Sequence, residues 1–97
     1  MRVNEQTANI QREVEKVAGE PGKYVESAVV VEGLSGKQKW QGIVEVFRLE
    51  KHRQARHAYA WTVENDGQIE YVVVLETPPV YSPNAAVRHW LKAQIKP

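Results

Sequence analysis

His52 and His57 are the residues whose type and spacing most invite chemistry, since two imidazoles in one polar stretch can converge on a cation. Lys51, Arg53 and Arg56 surround them and repel a divalent ion. A metal motif also needs a supporting ligand set, and neither a third histidine nor a group of carboxylates stands beside this pair. No metal site and no cofactor is expected. Ser27, Ser35 and Ser82 lack the Gly-x-Ser-x-Gly context of an activated hydroxyl and fall in a strand, a turn and a helix cap. Glu64, Asp66, Glu70 and Glu76 gather around one hairpin, where carboxylates solvate a turn and an outward strand face. His57 and Tyr59 share a strand face, and a catalytic role for His57 would need a deep pocket with a carboxylate in reach. Gly19-Glu20-Pro21-Gly22 and Gly33-Leu34-Ser35-Gly36 lack phosphate-loop spacing. The chain has no cysteine, so thiol chemistry and thiolate metal sites are excluded. These residue types favour a non-catalytic role, and no catalytic residue is assigned.

Charge offers a different chemistry. The net charge of +1 conceals segregation: residues 34–57 carry six basic and two acidic side chains, whereas residues 58–76 carry four acids and no Lys or Arg. Lys51, Arg53 and Arg56 in the loop, with Arg88 and Lys92 on the last helix, form a candidate nucleic-acid surface. Cations held against phosphates release condensed counterions, provided that loop and helix share one side of the fold. A solvated loop and cations favouring a helix C-terminus explain the same residues without a ligand.

Ninety-seven residues make a single domain, 1–97, without repeats or linkers. No apolar run approaches the ~20 residues of a membrane-spanning helix, so no membrane partner is expected. The polar start Met1-Arg2-Val3-Asn4-Glu5 does not read as a signal peptide, and with the lack of disulfides it favours a cytoplasmic setting.

The elements follow from periodicity. Ile10, Val14, Val17 and Ala18 recur at helical spacing, with Asn4 as N-cap and Gly19-Glu20-Pro21-Gly22 as the stop. Val25, Val29, Val30 and Val31 mark a strand, and residues 40–49 a second. In that second strand apolar residues occupy both parities, so either both faces are covered or Gly42 marks a bulge. Residues 57–76 form a hairpin about Asn65-Asp66-Gly67. A two-residue turn opposes Trp61 to Val72 and splits the aromatics between faces; a three-residue loop opposes Tyr59 to Val73 and Trp61 to Tyr71. The three-residue loop is preferred because it gathers the large apolar groups. Ser82-Pro83 then opens a helix with Val87, Trp90, Leu91 and Ile95 on one stripe.

The expected fold is α+β, in the order α-β-β-β-β-α: a two-layer domain with an antiparallel four-stranded meander and both helices on one face. The order resembles that of the double-stranded-RNA-binding domain. The lysine-rich start of that family's last helix is replaced here by Ser82-Pro83-Asn84-Ala85-Ala86, and there is one strand more. The resemblance stops at element order, which implies no function.

With the preferred register, Ala58, Ala60, Val72 and Val74 turn away from the helices and make an apolar outer face. Such faces often mark protein contacts. The sequence therefore leads to a small interaction module contacting a protein partner or a second copy of itself through that face or a sheet edge. Nucleic-acid binding is the alternative, and a small enzyme or ligand-binding domain comes third.

Overall fold

Turn chemistry sets the frame. Asp66 and Gly67 both have positive φ, 53° and 77°, and Asn65 lies opposite Gln68. This is the two-residue hairpin turn whose left-handed central residues match the right-handed twist of the flanking strands. Glycine adopts that conformation freely and aspartate tolerates it. The expected three-residue loop is therefore corrected, and with it every facing pair: Tyr59 opposes Val74, Trp61 opposes Val72, and Ala60 opposes Val73.

The computed structural model describes residues 5–34 and 38–94. The expected N-cap Asn4, the turn residues Ser35 and Gly36, and Ile95 of the last helical stripe lie outside the described residues. Helix α1 (Glu5–Ala18) precedes strands β1 (Lys23–Leu34), β2 (Gln38–Arg48), β3 (His57–Asn65) and β4 (Gln68–Leu75), and helix α2 (Pro83–Gln94) closes the order. The strands form one antiparallel sheet, β1-β2-β3-β4, as expected of an α+β meander. Gly19, at φ 83°, ends α1 by donating its N–H to the Glu15 carbonyl at 2.9 Å. Ser82 caps α2, its Oγ accepting the Ala85 N–H at 3.0 Å ahead of Pro83.

The helices lie on opposite faces of the sheet, which corrects the two-layer expectation of both on one face. Ala86, Val87 and Leu91 of α2 pack with Val30, Val44, Val46, Tyr59 and Trp61. Ile10 and Val14 of α1 pack with Phe47, Leu49, Ala55, Ala58 and Ala60. The cause is the hairpin register. It gives β3 and β4 an apolar set on each parity, so each face needs a cover. The same arrangement resolves β2: Val44 and Val46 face α2 and Phe47 faces α1, and β2 runs in regular register past Gly42, which opposes Val30. The irregularity sits on β1, between Tyr24 and Glu26. Gly42 serves a neighbour instead, since a Cβ there would lie 2.8 Å from the Trp40 ring. Val17, expected on the buried stripe of α1, is half exposed at its margin.

Candidate functional site

Each helix covers only part of its face. On the α1 side the partly buried residues beneath the helix include Tyr71, Val73 and Leu75 of β4, so α1 lies over β3 and β4. Among the described residues nothing covers the part of the β1–β2 half of that face around Val29 and Ile43. Val29 opposes Ile43 there, with Val31 two residues along. Their exposures are 76%, 55% and 52%, so this is a contiguous patch of β-branched side chains in water. β1 is also the terminal strand of the sheet order, with one side of its backbone facing no strand of this sheet. The break in register at Tyr24/Glu26 blunts only its first turn of ladder.

The four residues expected to form an outer contact face are divided between the two sides. Ala58 and Ala60 are fully buried beneath α1. Val72 and Val74 lie on the other face, half buried against the α2 core. Sequence spacing shows β1 only as a valine-rich strand, and its register with β2 is what exposes the patch at Val29, Val31 and Ile43.

The basic residues are likewise not brought together. Lys51, Arg53 and Arg56 are exposed on a loop whose Leu49 and Ala55 pack on the α1 side. Arg88 lies on α2, across the sheet, 3.7 Å from Glu32, and Lys92 is exposed one turn later. Glu32 opposes Trp40, while the loop departs from Arg48; the intervening strand is about 26 Å long at ~3.3 Å per residue. Two faces and opposite ends separate the groups. His52 is occupied within its own loop, Nδ1 accepting the N–H groups of Gln54 (3.1 Å) and Ala55 (3.0 Å). Among the described residues no group of three or more His, Asp or Glu is placed to hold a metal ion.

Glu20 ties this loop to the end of α1. Its carboxylate accepts the N–H of Glu50 at 2.9 Å and of Lys51 at 2.8 Å. These donors, the Glu50 amide first, hold its pKa below the ordinary glutamate value. A depressed carboxyl pKa gives stabilisation that is present above the unfolded value and lost as pH falls through the folded one. The Lys51 amide resonance should therefore move on acidification with a midpoint below the usual glutamate range of about 4.3, and stop moving in Glu20→Gln. A Lys51 amide that titrates unchanged in the variant would reject the assignment.

A carboxylate does reach His57. Glu76 Oε1 lies 3.0 Å from His57 Nδ1, and the Tyr59 hydroxyl donates to Glu76 Oε2 at 2.9 Å. Burial, followed by the hydrogen bond to Glu76, raises the Tyr59 pKa above the ordinary tyrosine value. The hollow beside them measures about 240 Å3, below the roughly 300–1,000 Å3 of ligand pockets. Ser82 on its rim is engaged as a helix cap. With the Glu76 N–H donating to the His57 carbonyl at 2.9 Å, the cluster clamps the open end of the β3–β4 hairpin.

Behind the α2 face stand three tryptophans. Trp61 is 1% exposed, with ring centroids 5.7 Å from Trp40 and 5.8 Å from Trp90. Trp40 and Trp90 meet edge to face at 6.4 Å, the packing aromatic quadrupoles prefer. The Trp61 Nε1 is buried without a hydrogen-bond partner among the described residues. Among the described residues no helix is long and apolar enough to cross a membrane. Comparison with protein-family models, curated proteins and solved structures finds no match to this chain.

Proposed function

We propose that this protein is a non-catalytic interaction module that pairs with a second copy of itself through the β1 edge and the bare β1–β2 half-face. The exposure of Val29, opposite Ile43 and beside Val31, carries the reading. The edge is self-complementary. An antiparallel pairing of two β1 strands about Val30 sets Val29 of one copy against Val31 of the other. It merges the two valine–isoleucine patches into one strip, and Glu32 then opposes Ala28 rather than a like charge. Burying such a strip removes β-branched surface from water, at about 25 cal/mol per Å2 of apolar area. The nucleic-acid reading has weaker support, because the basic loop and the Arg88–Lys92 stripe occupy different faces. We infer a cytoplasmic setting from a small domain whose core is held without cysteines.

Sedimentation velocity across micromolar to millimolar protein should show a concentration-dependent dimer. Val29→Lys should weaken it at least tenfold, about 1.4 kcal/mol, with an unchanged circular dichroism spectrum, since the side chain is exposed in the monomer. Ile69→Lys, at an apolar residue that is also exposed but lies at the hairpin tip, should leave the dimer intact. A monomer at every concentration would reject the proposal, as would equal effects of the two substitutions.

A further inference from the structure

The ladder between β2 and β3 covers only Glu45–Arg48 against Ala60–His57, although both strands continue well beyond it. Past Glu45 and Ala60 they part, and a cleft of about 670 Å3 opens between them. The bulk beneath explains the parting. Trp61 would stand beside Val44 in a continued ladder, and it is wedged between the rings of Trp40 and Trp90. Trp40 lies folded along its own strand over Gly42.

The walls come from the sheet and from both helices. Ile10 of α1 and Ile43 supply apolar surface, Trp40 and Trp90 supply half-buried indoles, and Glu45 and Glu64 supply carboxylates. Among the described lining residues there is no Lys, Arg or His. Lys39 borders a smaller hollow beyond Trp40, which it shares with Glu64 and Glu70. Glu45 accepts the Ser27 hydroxyl, whereas Glu64 has no ion pair among the described residues. The volume falls within the roughly 300–1,000 Å3 of small-molecule sites. Indole faces attract cations through the ring quadrupole, and carboxylates at the rim add to that attraction while repelling anions.

We propose that the cleft between the parted ends of β2 and β3 binds a small organic cation, an alkyl- or arylammonium, with its apolar body against Trp40, Trp90 and Ile43 and its charge toward Glu64 and Glu45. The site shares only Ile43 with the self-association strip. Every tryptophan of the chain belongs to the cluster at this cleft, so intrinsic fluorescence reports on it directly.

The test titrates the full chain with hexyltrimethylammonium, 1-hexanol and hexanoate, following tryptophan emission. The ammonium is expected to shift the emission saturably. Hexanol should need at least about tenfold more for the same change, as expected when ~1.4 kcal/mol or more is tied to the charge, and hexanoate should give no saturable change. Glu64→Gln and Glu45→Gln should each weaken the ammonium several-fold while leaving the hexanol response unchanged. Absence of a saturable ammonium response at millimolar concentrations would overturn the proposal. So would equal potency of hexanol and the ammonium, or unchanged ammonium binding in both variants.

Discussion

Trp61→Ala is expected to remove about 3–5 kcal/mol of stability, a large part of the roughly 5–15 kcal/mol that holds a domain of this size. The residue is 1% exposed, among the largest fully buried side chains, and joins β3 to both Trp40 and Trp90. Its loss leaves a void that neither strand can fill, because β3 is pinned to β4 on one side and the α2 stripe is already packed. In urea the midpoint should fall by more than about 1 M, given slopes of about 1–3 kcal/mol per M. Trp61→Phe should cost clearly less. It keeps an aromatic ring at the centre of the cluster and removes the buried N–H that has no partner, a group whose desolvation opposes folding. Equal losses for the two variants would show that the indole's size decides everything there.

Ala60→Leu is expected to cost about 1–3 kcal/mol by overpacking, and to do so at one place first. Ala60 and Ala58 are small because α1 rests on them, with Ile10 and Val14 in the same buried cluster. A leucine at 60 pushes between helix and sheet. Amide hydrogen exchange should accelerate throughout α1 while α2, on the other face, keeps its protection. The substitution also separates two accounts of these alanines. On a bare outer face a leucine would leave stability untouched and strengthen association. Loss of α1 protection supports the packed arrangement, and stable protein with tighter self-association would refute it.

The order of elements was legible because each helix and strand carries its own period, and the strands pair in sequence without a crossover. What failed was a single residue of register at Asp66-Gly67, and its effects spread. Placing Tyr59 opposite Val73 instead of Val74 puts Tyr71 and Leu75 of β4 on the wrong face, and assigning both helices to one face leaves Ala58 and Ala60 outward, when they are the floor beneath α1. The same slip hid the clamp at the open end of the hairpin, where Glu76 meets His57 and Tyr59. Gathering large apolar groups is a reasonable preference, yet turn chemistry fixes register before side-chain burial can, and alanines bury as readily as aromatics when a helix needs close approach. The half-bare face was illegible for another reason. Val29, Val31 and Ile43 look like core residues in any local window, and only the lateral position of α1 leaves them in water. Nothing in residue spacing specifies where along a sheet a helix settles.

That lateral position also governs how the chain reaches its native state. The helix at the start of the chain rests on the second hairpin, β3–β4, and the helix at its end rests chiefly on the first, β1–β2. The two halves are therefore interleaved like clasped hands. A chain severed in the loop between Leu49 and Arg56 would yield two fragments, each holding one hairpin and the helix that belongs to the other. Each fragment would lose the larger part of the cover that its hairpin receives from the other fragment's helix. This exchange of ends ties the two hairpins together across a sheet whose central ladder, between β2 and β3, has four residue pairs.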